Sequence, residues 1–117
     1  MKKEYRVKKS EEIEKIIKHR QSIGNKYYIL YKMKNNETSH FRYAMSVSKK
    51  LGKAHIRNRL KRQVTSIIDN LPINLNLNYD VFIIVRKTIL DIDYDTMKNE
   101  LEYLFKKDML LSKGENK

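Results

Sequence analysis

The sequence predicts a single α+β domain in which helices pack on one sheet, with the element order α-β-β-α-β-α. Two observations lead to this prediction. Apolar side chains recur at helical spacing in some segments and alternate or run together in others, and the two kinds of segment are interleaved along the chain. At 117 residues the chain can bury one hydrophobic core but not two. We therefore assign residues 1–111 to the domain and expect residues 112–117 to form a disordered tail.

Three segments have the features of helices, namely residues 10–20, 54–70 and 94–109. The first begins at a serine that can act as an N-cap, and isoleucines follow it at helical spacing. The second carries its apolar side chains along one face and is followed by a proline. Asp91 or Asp93 can cap the third, and capping is preferred over metal binding for this aspartate-rich stretch.

Three further segments have the features of strands, namely residues 26–34, 40–48 and 81–85. The first two are rich in β-forming residues and are separated by the turn-forming sequence KNNETS, which predicts an antiparallel hairpin. The third is a continuous apolar run, suited to a strand that is buried on both faces. Because the second helix lies between the second and third strands, these two strands can run parallel.

The positive charge is concentrated in the N-terminal part of the chain. The formal net charge is +12, yet residues 1–68 alone hold 19 basic and 5 acidic side chains. No acidic residue occurs between residues 38 and 68. A charge of this size predicts a polyanionic partner, which can be nucleic acid, an acidic protein or an anionic membrane. The exclusion of one sign from so long a segment favours a shared site for phosphates.

The second predicted helix carries the side chains best suited to binding phosphates. Five of them cluster near its start: Arg57, Asn58, Arg59, Lys61 and Arg62. Like charges four residues apart destabilise a helix, and no acidic residue relieves them here. A phosphate-binding face is therefore preferred over a solvated basic surface, which usually has partners of opposite sign. Gly52 permits a tight turn before the helix, whose uncapped first N–H groups can also meet a phosphate.

Several classes of function receive no support from the sequence. The chain has no cysteine, which excludes disulfides and thiolate metal sites. Its start lacks the apolar segment of a secretory signal, and no apolar run is long enough to cross a membrane, so the cytoplasm is the expected location. The three histidines lack metal-ligand spacing, and no set of residues is marked out for nucleophilic or acid–base catalysis.

The segment SVSKKLGKAHIRNRLKR, residues 46–62, resembles the signature of the bacterial ribonuclease P protein subunit. The resemblance extends over nearly the whole chain, through Lys18 and His19, Tyr31 and residues 79–86. It implies a sandwich of the ribosomal protein S5 domain 2-like type with a left-handed βαβ crossover, whereas pattern alone would favour a right-handed one.

The resemblance also implies a function. The family's protein assists a catalytic RNA in the endonucleolytic removal of the 5′ leader from precursor tRNA. The RNA performs the hydrolysis, so the protein alone is expected to be inactive, with no cofactor of its own and with Mg²⁺ supplied through the RNA subunit. The implied partners are that RNA and the single-stranded leader, with no membrane and no obligate protein partner.

Carried onto this chain, the family pattern implies two sites. The five polar residues near the start of the second helix match the contact with the catalytic RNA, and the preceding loop adds Ser48, Lys49, Lys50 and Lys53. Tyr31 matches an aromatic position in a cleft for the leader. The other cleft candidates are Ile13, Ile17 and Tyr28. Family members often carry phenylalanine where this chain has the two isoleucines, which cannot stack on a base as a ring does. Tyr28 and Tyr31 alternate along one strand, so only one of them can line the cleft.

Two alternatives stay open at this point. A basic RNA-binding module, such as a ribosomal or assembly protein, would have a similar composition without any effect on cleavage. A helix-turn-helix DNA-binding protein would need a partner helix joined to the basic helix by a short turn, and the predicted flanking strands argue against it.

Overall fold

The computed structural model describes residues 2–112 and contains a four-stranded sheet with three α-helices. The helices are α1 (Ser10–Lys18), α2 (Ala54–Asn70) and α3 (Tyr94–Lys107). The strands are β1 (Ser22–Gly24), β2 (Tyr28–Lys34), β3 (Arg42–Val47) and β4 (Tyr79–Val85). Short 3-10 turns are formed by Lys3–Tyr5, Lys49–Leu51 and Lys87–Asp91. The α+β class and the predicted element order are confirmed, and β1 is an additional strand too short for its pattern to predict.

The sheet has the order β1-β2-β4-β3, so the predicted hairpin between β2 and β3 is wrong. Strand β4 lies between them, antiparallel to β2 and parallel to β3. The physical reason is the composition of β4. Its continuous apolar run buries the most apolar surface in the centre of the sheet, where both faces are covered. The parallel connection from β3 through α2 to β4 is confirmed.

The two faces of the sheet support two apolar clusters. Helices α2 and α3 cover one face, where the larger cluster includes Tyr28, Leu30 and Ile83, none of them exposed. Helix α1 covers the other face, where the smaller cluster contains Ile16 and Phe82. Alternate residues of β4 therefore enter opposite clusters, as the sequence pattern of that strand predicts. Helix α1 thus lies on the side of the sheet opposite α2 and α3.

Polar contacts fix both ends of α3. Its N-cap is Asp93, whose Oδ1 accepts the Thr96 N–H at 2.9 Å. The hydrogen bonds from Thr96 lower the pKa of Asp93. At the other end, Lys32 Nζ donates to the Asp108 carbonyl at 3.1 Å and lies 4.8 Å from the centroid of the Tyr79 ring. The prediction of a capping aspartate is confirmed, and a cation from β2 complements the C-terminal end of the helix dipole.

The helix limits agree with the sequence pattern except at two C-terminal ends. The predicted serine cap of α1 is wrong, because Ser10 is the first helical residue and Lys9 holds the N-cap position without a side-chain cap. Helix α2 has the predicted bounds, whereas α1 ends two residues early, before Arg20 with its φ of 60°. Helix α3 ends before Met109, whose φ is 61°. Ser112, where the predicted tail begins, donates its N–H to the Pro72 carbonyl at 2.7 Å. The rest of that tail, residues 113–117, lies outside the described residues.

Candidate nucleic-acid interface

Helix α2 presents its basic residues on the half that faces away from the core. Leu60, Val64, Ile67 and Ile68 are buried against the sheet and α3. The predicted contact residues Asn58, Arg59, Lys61 and Arg62 are exposed, and Arg57 is half-buried. Because 3.6 residues complete each turn, the apolar stripe and the cationic stripe of one helix can occupy opposite halves without conflict.

Arg57 differs from the other basic residues of α2 because part of its side chain is already engaged. Its Nε donates to the Gly52 carbonyl at 3.2 Å, which ties the helix to the turn before it. Gly52 has a φ of 138°, and a Cβ there would lie 3.2 Å from Ile56 Cδ1. Only glycine adopts such a conformation without strain. Gly52 and Arg57 therefore both stabilise the geometry of the turn, and Arg57 also contributes a positive charge to it.

The turn before α2 exposes the other predicted loop residues. Ser48 Oγ accepts the Lys50 N–H at 3.0 Å and so caps the 3-10 turn Lys49–Leu51. Lys49, Lys50 and Lys53 are exposed. Lys53 occupies the N-cap position of α2 and provides no side-chain cap. The predicted uncapped helix start is confirmed, and three exposed lysines lie in the chain segment that leads into it.

A groove of about 460 Å³ runs between α2 and the N-terminal segment, and we call it the α2 groove. Its lining residues are Arg6, Lys61, Arg62, Thr65, Ser66, Asp69 and Asn70. Three of these are cationic and one is acidic. Hydroxyl and amide groups supply further hydrogen-bond partners, so the groove matches the chemistry of a phosphodiester backbone.

Arg6 is the cationic residue of the groove that the sequence pattern missed. The Val7 N–H donates to the Tyr43 carbonyl at 2.9 Å, so this segment runs along the edge strand β3. The Arg6 guanidinium carbon lies 4.7 Å from the centroid of the Tyr43 ring. Its Nε is buried and has no hydrogen-bond partner within residues 2–112. Stacking on Tyr43 thus holds Arg6 in place. The sequence does not indicate this contact, because Arg6 is one of several basic residues in the N-terminal segment and Tyr43 is far along the chain.

The cleft candidates are divided between the two faces of the sheet. Ile13 and Tyr31 pack against the smaller cluster, where the Tyr31 and Phe82 ring centroids are 6.5 Å apart. Ile17 lies on the same helix as Ile13 and is 37% exposed. The structure therefore brings Ile13 and Tyr31 together on the α1 side of the sheet, with Ile17 as their exposed neighbour along the helix.

Tyr28 is wrong as a cleft candidate. It faces α3 in the larger cluster and has no exposed surface. Its hydroxyl donates to the Met97 carbonyl at 3.0 Å, and burial raises the pKa of this hydroxyl. The alternation along β2 separates Tyr28 from Tyr31, and packing against the helices decides which of the two is buried.

Other features of the described residues bear on the remaining predictions. Within residues 2–112, no group of three or more histidine or acidic side chains is arranged to hold a metal ion. In the same part of the chain, no helix is both long and apolar enough to cross a membrane. Helix α2 is flanked by β3 and β4, so the helix-turn-helix alternative is wrong.

Fold and site together define a small α+β domain with one strongly cationic helix face, a surface complementary to a polyanion. The family model described as Ribonuclease P matches residues 1–108. The chain is 35% identical over 116 residues to the Ribonuclease P protein component of Listeria innocua, which covers 99% of this chain and 98% of that relative. The chain therefore belongs to the ribonuclease P protein family, as its motifs predict.

Two solved structures support the same assignment. The RNase P protein of Staphylococcus aureus is 33% identical, with a TM-score of 0.82 over 92% of this chain and 98% of that one. The RNase P protein of Thermotoga maritima is 27% identical, with a TM-score of 0.74 over 87% of this chain and 96% of that one. Ribonuclease P is a ribonucleoprotein nuclease of tRNA processing, so membership implies an RNA subunit as partner.

Proposed function

We propose that this chain is the protein subunit of a ribonuclease P ribonucleoprotein and assists its catalytic RNA in removing the 5′ leader from precursor tRNA. The observation that carries the proposal is the cationic half of α2, with Asn58, Arg59, Lys61 and Arg62 exposed on a helix that belongs to this family's fold. In this role the α2 face and the lysine-rich turn before it bind the RNA subunit.

The physical argument for the RNA contact is electrostatic. Arginine can bond two phosphate oxygens at once, and lysine supplies a mobile positive charge. Each phosphate neutralised releases condensed counterions, so binding gains free energy as the salt concentration falls. Arg6 adds a third cation to the groove beside Lys61 and Arg62, and its stack on Tyr43 limits the entropy lost when it binds.

The single-stranded leader is assigned to the α1 side of the sheet. Tyr31 offers a half-buried ring, and Ile13 and Ile17 offer apolar surface beside it. Aromatic rings stack on bases of any sequence, whereas isoleucine contributes only apolar contact. Tyr31 is therefore expected to contribute more to leader binding than either isoleucine.

The hydrolysis itself is assigned to the RNA subunit, with Mg²⁺ entering through that RNA and no cofactor in the protein. The protein's contribution is to hold the two RNAs together in a productive arrangement. A tRNA-processing role with these partners is a cytoplasmic one, and it requires no obligate protein partner.

A cleavage assay tests this function. Precursor tRNA is incubated at low magnesium with the RNA subunit alone, with the protein alone and with both. We expect no cleavage by the protein alone and faster leader removal by the pair than by the RNA. Protein that binds RNA but leaves cleavage unchanged would instead support the general RNA-binding module.

A further inference from the structure

A buried ion pair joins the two parallel strands of the sheet on the α1 side. Asp80 on β4 is 1% exposed and lies opposite Arg42 on β3. Arg42 Nε donates to Asp80 Oδ1 at 3.0 Å, and its Nη2 donates to Oδ2 at 2.8 Å. Asn35 Nδ2 donates to the same Oδ2 at 2.9 Å. The guanidinium of Arg42 therefore has a fixed position and orientation.

The same Nη2 of Arg42 also reaches helix α1. It donates to Glu12 Oε2 at 3.1 Å, and Glu12 is the third residue of the helix. In the part of the chain that the structure describes, no other side chain of α1 is hydrogen-bonded to the sheet. The remaining contacts of α1 with the sheet are apolar, through residues such as Ile13 and Ile16.

We propose that Glu12 is a positioning residue, which fixes the orientation of α1 on the sheet through Arg42 and so aligns the leader-binding surface. This inference rests on the proposed function. Apolar contacts have no preferred direction, so Ile13 and Ile16 hold α1 against the sheet but allow it to turn and slide. A charge-assisted hydrogen bond has a defined geometry, and here its donor is already immobilised by Asp80.

The effect of this contact grows along the helix. Ile17 follows Glu12 by five residues, which is about 7.5 Å along the axis. A rotation of the helix by about 10° around Glu12 would move Ile17 by roughly 1.3 Å. Displacements of about 1 Å are large enough to lower the productive binding of a substrate. The Glu12 side chain is 33% exposed, so we expect its contact to contribute little to global stability and its removal to leave the fold intact.

Three variants distinguish the loss of the contact with Arg42 from the loss of a negative charge. Each removes one negative charge from α1, but they differ in whether that contact is kept. Glu12→Ala removes the acceptor, whereas Glu12→Gln keeps an oxygen that can accept from Arg42. Glu14→Ala is the matched control, since Glu14 is exposed on the same helix. Each is assembled with the RNA subunit, and the dissociation constants are measured for precursor tRNA with its leader and for the same tRNA without it.

We expect Glu12→Ala to lower the preference for the leader-bearing RNA by roughly threefold or more. Its affinity for leaderless tRNA and its thermal midpoint should match those of Glu14→Ala, and Glu12→Gln should recover most of the preference. Equal leader preference in Glu12→Ala and Glu14→Ala would overturn the inference, and so would a parallel loss of both affinities. A wild-type holoenzyme that binds the two RNAs equally would overturn the leader contact itself, and this inference with it.

Discussion

Removing two cations from the α2 groove should weaken binding of the RNA subunit in a salt-dependent way. The double variant Lys61→Ala with Arg62→Ala is the suitable perturbation, because both side chains are exposed and line the groove. Arg57 is less suitable, since its Nε donates to the Gly52 carbonyl and its loss would also disturb the turn. The double variant leaves the apolar half of α2, and hence the fold, unchanged.

The magnitude follows from counterion release. The slope of log K against log salt is negative, and each lost phosphate contact makes it shallower by about 0.7–0.9. Two lost contacts therefore make it shallower by about 1.4–1.8, if each groove cation neutralises one phosphate. Such contacts contribute nothing at about 1 M salt, where the variant and the wild type should bind equally. At about 0.15 M salt the double variant should therefore bind roughly 15–30-fold more weakly than the wild type. That loss corresponds to ~1.6–2.0 kcal/mol.

The assay is equilibrium binding of the labelled RNA subunit over a series of salt concentrations. The control is Lys106→Ala with Lys107→Ala, which removes the same charge from exposed positions on α3. The control should keep the wild-type slope to within measurement error. If both double variants make the slope shallower by the same amount, binding responds to net charge. That result would contradict the assignment of the phosphate contacts to the α2 groove.

Three further predictions concern the framework that supports the site, and urea unfolding checks each. Gly52→Ala should destabilise the protein by about 1–3 kcal/mol, because φ is 138° there. Arg42→Ala should cost about 3–5 kcal/mol, because it removes the charged partner of the buried Asp80. Tyr28→Phe should cost about 0.5–1.5 kcal/mol, because it removes the buried hydrogen bond from the Tyr28 hydroxyl to the Met97 carbonyl. The raised pKa of Tyr28 lets the folded state keep a proton that the unfolded state loses, so wild-type stability should fall above about pH 10, and fall less in Tyr28→Phe. Unchanged stability in any variant would contradict its prediction.

Local patterns in the sequence were sufficient for the helices and for the basic face. Helix α2 has the predicted bounds because its amphipathic period and Pro72 are both local signals. The exposed positions of Lys61 and Arg62 follow from the same period. Asp93 caps α3 as predicted, since capping depends on residues three positions apart.

Pairing between distant segments could not be predicted in the same way. The alternation along β2 and β3 identifies faces but not neighbours, so β4 could take the place between them without any change in the pattern. Arg6 enters the site because its segment pairs with β3 at Tyr43, far along the chain. The strand pattern alone does not distinguish Tyr28 from Tyr31, and the packing of α3 on one face shows which of them is buried.

Site-specific cross-linking tests the central claim most directly, because it reports which face of the protein touches the RNA subunit. A photoreactive amino acid is placed at Lys61 in one variant and at Lys106 in another, and each is irradiated in the assembled complex. The proposed interface predicts a strong cross-link to the RNA subunit from position 61 and little or none from position 106. A cross-link of equal or greater yield from position 106 would contradict the assignment of the RNA to the cationic face of α2.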